Sequence, residues 1–299
     1  MKNPNGENKK IKILWLSGIS CYGNIHSFFN YPHMEVFLED FEFIYHPVLD
    51  STFSLKEIVN ETKECNILLI DGAISDDFHR ADVNIKDIIN RYATSVNRIV
   101  TVGTCATFGG IFKYSDFQSP RGLHFCGDEL QTDFLHLRNK TISISGCPIQ
   151  PEVLVNTLYE IKNQTDIKLD TFLRPKEYYA YTVHNGCTRN EYFEYKVDGH
   201  KFGELEGCLF YDHGCQAPYT AGSCNKILWN EQNSKTRSGS PCFGCTEYTF
   251  PKMSLYDTKK NMGIPQNLPL GVPKRAYLTI AGVTKAFSIQ RLEKKLIDD

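Results

Sequence analysis

Six of the chain's eleven cysteines, Cys187, Cys208, Cys215, Cys224, Cys242 and Cys245, crowd into 59 residues that show almost no apolar periodicity. From about Arg174 onward Gly, Asn, Tyr, Ser and Pro are frequent, and the tail "GIPQNLPLGVPKRAYL" is rich in turns. A segment of this texture has little continuous core to hold it. Bound metal can supply the missing cohesion. The N-terminus, "MKNPNGENKKIK", has neither an apolar signal core nor a twin-arginine pair. The expectation is a cytoplasmic protein, with peripheral association at the membrane left open. Stable disulfides are rare in a reducing compartment, so a thiol-rich chain points to metal or redox chemistry. The net charge is −2 over 299 residues. Phosphate binding wants a basic face, so no nucleic acid partner is expected. No apolar run reaches the roughly 20 residues of a membrane span, so no transmembrane segment is expected.

The first half has a different texture. Short β-favouring runs at Ile11–Leu16, Phe41–His46, Asn66–Asp71, Arg98–Gly103 and Thr141–Ser145 alternate with helical patterns near Asn24–Glu39, Ser54–Glu61, Val83–Thr94 and Pro151–Asn163. This rhythm predicts an α/β domain with a parallel sheet covered on both faces. "NILLID" and "NRIVTVG" are apolar without alternation, as doubly covered strands are. The chain therefore divides at about residue 173, an α/β domain over 10–173 and an irregular cysteine-rich domain over 174–299. A short amphipathic piece, about Ser288–Leu296, is the last helix-like pattern.

Three cysteines line up with strand ends: Cys21 in "SGISC", Cys105 in "VGTC" and Cys147 in "SGC". In open parallel sheets, sites form outside the carboxyl ends of the strands. Three thiols arriving there can converge. Three residues past Cys21, where a Cys-x-x-Cys motif would carry its second thiol, stands Asn24. Cys65, just before the third strand, reads as a core thiol.

The second half offers two further sets. His184 and Cys187, followed by Cys208 and Cys215, make one imidazole and three thiols. They suit zinc or an iron–sulfur cube with one histidine ligand. Cys224 with Cys242-x-x-Cys245 makes three thiols with no fourth nearby. Closed zinc sites use four ligands, whereas a three-iron cluster needs three, so the odd count favours iron–sulfur.

"WLSGISCYGN", "VGTCATFGGI", "SGCPIQPE", "HNGCTRNEYFEY", "GCLFYDHGC", "SCNKILWNE" and "PCFGCTE" occur in that order. This series resembles the small, electron-transferring subunit of nickel–iron hydrogenases over about residues 11–290. The resemblance implies a flavodoxin-like domain followed by an irregular iron–sulfur domain. It also implies three clusters, and a large subunit as partner that holds the nickel–iron centre and splits hydrogen. Carried over by motif, Cys21, Cys105 and Cys147 match ligands of the proximal cluster. His184, Cys187, Cys208 and Cys215 match the distal four-iron cluster. Cys224, Cys242 and Cys245 match the medial three-iron cluster.

The chain departs from the usual family pattern at Asn24, where most members have cysteine, and at His26, where many are acidic. Gly23 and Gly110 stand where certain oxygen-tolerant members carry extra cysteines. The Asn24 substitution, the long Cys208–Cys215 spacing and the absent export signal together resemble a cytosolic uptake subgroup. Asn24 leaves the proximal cluster as four-iron, with Asn24 as a ligand or Cys126 reaching in, or as three-iron. The expected function is electron relay from hydrogen oxidation in the large subunit to a redox protein or quinone pathway, with no hydrogen-splitting site in this chain. A hydrogen-sensing regulatory subunit is the nearest alternative. A structural zinc scaffold is a distant one. A flavin module lacks a phosphate loop at the first strand.

Overall fold

The computed structural model describes residues 10–116 and 119–251, with Pro273, Ala276, Thr279, Ile280 and Val283 as isolated positions. Among the described residues there are two compact units. The first is 10–178 with Thr246–Phe250, and the second contains Tyr179–Cys245.

The first unit is built on five strands: β1 (Ile11–Ser17), β2 (Phe41–Tyr45), β3 (Ile67–Asp71), β4 (Arg98–Val102) and β5 (Thr141–Ile144). They lie in the order β2-β1-β3-β4-β5, all parallel. This is the flavodoxin-like doubly wound order, whose direction reverses between β1 and β3. Register runs straight through the centre: Trp15 opposite Leu69, Leu69 opposite Val100, Val100 opposite Ile142. Every residue of β3 is buried, so the continuous apolar run reflects two covered faces.

Helix α1 (Gly23–Phe29) and α2 (Met34–Asp40) replace the single helix expected over Asn24–Glu39. Pro32 explains the break. It has no N–H for the preceding turn, and it drives Tyr31 away from helical angles. Helix α3 (Leu55–Asn60) starts at Ser54, whose hydroxyl and Glu57 form a reciprocal capping box. Helix α4 (Ile85–Ala93) starts two residues later than the pattern suggested, because the Asn84 side chain caps Lys86 N–H at 2.8 Å. Its residues Ile85, Ile88, Ile89 and Tyr92, one helical stripe, pack with Leu14, Leu16, Leu68 and Ile70 of the sheet. Helix α5 (Gly103–Phe108) follows β4 without a loop, and α6 (Pro151–Lys162) follows β5. On the other face Trp15 packs against Phe28 and Phe43, ring centroids 5.3 and 6.3 Å away. Cys65 lies in the first core, and burial pushes its thiol up to about 12.

Over 179–245 the second unit has the short helix α7 (Asn190–Tyr195) between tight turns. Its apolar cluster is Val183, Phe193, Leu209, Phe210 and Ala217 with Cys208, Cys215 and Cys242. The expected helix at Ser288–Leu296 lies outside the described residues.

Candidate iron–sulfur ligand sites

The carboxyl edge of the sheet carries the first set. Cys21 follows β1, Cys105 sits in α5 directly after β4, and Cys147 follows β5. Burial pushes the Cys105 thiol up to about 12, and the neighbouring Cys147, Cys21 and Asp71 add to the push. The Cys21 loop abuts the Cys147 loop. A Cβ placed at Gly23 would lie 3.3 Å from Cys21 Sγ and 3.9 Å from the Pro148 side chain. Gly110 closes the other side. It adopts φ +51°, and a Cβ there would meet Cys105 Sγ at 2.5 Å, so only glycine fits without moving the thiol.

Hydrogen bonds lock these loops to one another. Thr104 N–H donates to Gly146 O at 2.9 Å, and Gly146 N–H donates to Thr104 Oγ1 at 2.9 Å. Asn24 ties the remaining pieces together. Its Nδ2 donates to Asp71 Oδ1 at 2.7 Å and to Val102 O at 3.2 Å, and its Oδ1 accepts from Ile149 N–H at 3.0 Å. The side chain lies buried against Gly103, where a Cβ would come within 2.2 Å of Nδ2. A residue read as a ligand candidate therefore has a structural role, since one carboxamide joins the ends of β3 and β4 and the loop after β5. Asp71, fully buried, also accepts from Ser20 Oγ at 2.9 Å. Burial raises its pKa, while the Asn24 and Ser20 bonds hold it down. Cys126 sits on a two-residue strand, Phe125–Cys126, paired with Glu129–Leu130.

In the second unit, His184, Cys187, Cys208 and Cys215 line a single cavity, together with Arg189 and Phe210. Thr182 and Asn185 cap the turn that carries His184, and Cys187 N–H bonds His184 O at 3.0 Å. His184 packs on Phe193, ring centroids 4.6 Å apart. Burial, helped by Lys196, brings its pKa down to about 4, so the imidazole is neutral and able to donate a lone pair. Burial pushes Cys208 and Cys215 up to about 12.

Cys224, Cys242 and Cys245 form the third set. Burial and then the Cys245 and Cys242 thiols push Cys224 up to about 12, and Lys235 opposes them. The second and third sets touch. Cys242 N–H donates to Cys215 Sγ at 3.2 Å, and Gln216 N–H donates to Cys242 O at 2.7 Å. Among the described residues no three His, Cys, Asp or Glu side chains close to the spacing of a single bound ion.

Sequence reasoning missed two cations here. Arg189, nearly fully buried, donates to the carbonyls of Thr236 (2.7 Å), Gly207 (2.6 Å), Glu206 (3.1 Å) and Glu204, so it pins the loop before Cys208. Lys235 Nζ stands 3.9 Å from Cys245 Sγ. Neither has a periodic signal. The only hint is Arg189's place two residues after Cys187.

Two family models match the chain. One is NADH ubiquinone oxidoreductase, 20 Kd subunit, over residues 21–161, and the other is the C-terminal part of the NiFe/NiFeSe hydrogenase small subunit, over 179–257. The chain is similar to nickel–iron hydrogenase small subunits, whose C-terminal model it matches and whose name its relatives carry. A relative named periplasmic [NiFe] hydrogenase small subunit 1, from Nitratidesulfovibrio vulgaris, is 35% identical over 51% of this chain and 47% of its own length. The F420 non-reducing hydrogenase II small subunit of Methanosarcina mazei is 29% identical over 86% of this chain and 78% of its own length. The chain spans about half the length of the periplasmic relatives from Nitratidesulfovibrio vulgaris and Solidesulfovibrio fructosivorans, 47% and 48%. The fold matches an actinobacterial-type NiFe-hydrogenase from Ralstonia eutropha H16 with TM-score 0.74 at 22% identity, over 96% of this chain and 92% of that one. The likeness in fold extends over 96% of the chain and so takes in residues of both the parallel sheet and the cysteine-rich unit.

Proposed function

We propose that this chain is the electron-transferring small subunit of a hydrogen-oxidising nickel–iron hydrogenase. It would work as a heterodimer with a large subunit that holds the nickel–iron centre. The observation that carries this reading is the grouping of the ligands. Residues spread over more than two hundred positions gather into three sets, one of which lines its own cavity.

The donor sets fit iron–sulfur clusters, which take soft thiolates and an occasional imidazole. In this reading Cys21, Cys105 and Cys147 hold a proximal four-iron or three-iron cluster beside Asn24. Cys224, Cys242 and Cys245 hold a medial three-iron cluster. His184, Cys187, Cys208 and Cys215 hold a distal four-iron cluster. Bound there, such clusters supply one-electron donor and acceptor states.

The chain's own residues fix position and electrostatics. Asn24 and Thr104 hold the proximal loops in register. Phe193 and Phe210 keep water from the distal thiols. The Cys242 N–H favours negative charge on Cys215 Sγ, a bond of the kind that raises cluster potentials. The sheet edge around 17–24, 104–110 and 146–150 is the surface for the large subunit. Exposed Cys21, Ile111 and Tyr114 lie on or beside it. The electron acceptor is a redox protein or quinone pathway. Uptake rather than sensing is favoured by Asn24, and eleven free thiols suit a cytoplasmic setting. No helix among the described residues is long and apolar enough to cross a membrane.

The test is to purify the heterodimer, analyse iron and sulfide, and follow EPR through a reductive titration. An oxidised three-iron signal that disappears in Cys242→Ser is expected. Its persistence in that variant rejects the medial assignment. Failure of a large subunit to co-purify rejects the heterodimer.

A further inference from the structure

We infer that Lys235 is a positioning residue of the medial site that holds its cluster at a raised reduction potential by facing its thiolates with a fixed positive charge. The inference rests on the reading that Cys224, Cys242 and Cys245 bind a cluster. Lys235 Nζ lies 3.9 Å from Cys245 Sγ and opposes the charge at Cys224. Its Nζ also lies 5.8 Å from the centroid of the Phe243 ring, which stands between Cys242 and Cys245 in the chain.

Its placement is built rather than incidental. The flanking residues Ser234 and Thr236 are both buried. Both hydroxyls bond Asn225 Oδ1, the Thr236 bond at 2.8 Å. Asn225 follows Cys224 directly and is anchored in turn by Nδ2 to Val183 O at 2.8 Å. Thr236 O also accepts from the buried Arg189 at 2.7 Å. The backbone of Lys235 is therefore fixed to the ligand loop on both sides. Only the side chain needs to order, and a surface lysine would have no such frame.

The charge argument follows. Three thiolates and bridging sulfides make the site strongly negative, and reduction adds one more electron. A cation a few ångströms away in a partly buried site stabilises the reduced form more than the oxidised one. The reduction equilibrium constant should therefore be at least tenfold larger with Lys235 than without it, or 59 mV for a one-electron couple.

The experiment is a redox titration of the purified heterodimer, carrying the native chain, Lys235→Met, Lys235→Gln or Lys235→Arg. The medial cluster is followed by loss of its oxidised three-iron signal, or by gain of a reduced signal if the site holds four irons. The expected result is a midpoint lowered by at least 59 mV in the Met and Gln variants, with most of the native value kept in Arg. Cluster signals lost in Met and Gln but retained in Arg also support the inference, because charge then decides occupancy. Met or Gln variants with a native midpoint overturn it. So does an Arg variant that behaves like Met. If the native protein shows no signal that Cys242→Ser removes, the ligand reading itself has failed, and the Lys235 inference falls with it.

Discussion

Asn24 offers the sharpest test of how the sheet edge is held. Replacing it by alanine removes three hydrogen bonds at once, to Asp71, Val102 O and Ile149 N–H. A bond to a carboxylate contributes about 1.5–3 kcal/mol and each neutral one about 1 kcal/mol, so the cost should be about 4 kcal/mol. That is a large part of the 5–15 kcal/mol typical of a domain. The isosteric Asn24→Asp change keeps the shape but places a second carboxylate against Asp71, which is already buried. Its cost should be greater at pH 8 than at pH 5, since protonating one carboxyl relieves the repulsion. Hydrogen exchange read by mass spectrometry against urea, on peptides covering 145–152, reports both effects and includes the Ile149 amide. The same samples should show less proximal iron, because the loops of Cys21 and Cys147 share this clamp. A cost under about 1 kcal/mol for Asn24→Ala, with Ile149 exchange unchanged, would refute the argument.

Two other outcomes follow from the same structure. Asn24→Cys, if its sulfur joins the proximal cluster, adds a thiolate and should lower that cluster's potential; a potential unchanged or raised in the redox titration refutes this. Glu160 has its pKa raised to about 7 by burial and then by Glu177, so the native state binds an extra proton between the unfolded value and about 7. The stability it supplies is complete below about pH 4.5 and fades as pH rises through 7. Glu160→Gln should flatten the fall in urea midpoint between pH 5 and 8, and an unaltered slope would remove Glu160 as its cause.

Much of this was readable in the chain because it depends on local pattern. All five sheet strands fall within a residue or two of the apolar runs, since covered strands need nothing but continuous apolar side chains. The grouping of His184, Cys187, Cys208 and Cys215 at one cavity joins two pairs that were each visible as short spacings in the chain. Pro32 was equally visible, yet the apolar pattern continues past it and hides the break between α1 and α2. What the sequence hid are pairings across long separations. Asn24 meets Asp71 forty-seven residues on and Ile149 one hundred and twenty-five on. Arg189 caps carbonyls of a loop seventeen residues away and of Thr236 beyond it. Such contacts arise from topology, and no window of sequence contains both partners.

The two units place their ligands on different physical footings. In the first, the apolar core of β1, β3, α3 and α4 holds nineteen buried residues, one of them a cysteine, and the candidate ligands Cys21, Cys105 and Cys147 are not among them. In the second, three of the eight buried residues in the apolar cluster are ligand candidates, with Cys224 packed beside them. Those thiols are pushed towards their protonated forms by burial, so without iron they serve only as small apolar groups. A cluster that small cannot offset the entropy of ordering sixty-odd residues of turns, at about 1–2 kcal/mol each. Ligand binding must then supply folding free energy, as it does in small metal-bound domains. Iron chelation under reducing conditions should therefore remove amide protection across 183–245 and leave the sheet strands β1, β3 and β4 protected. Protection retained across 183–245 in the iron-free chain would mean that the turns, the Arg189 hub and the Asn225 anchor suffice by themselves, and that the clusters are guests in a fold already complete.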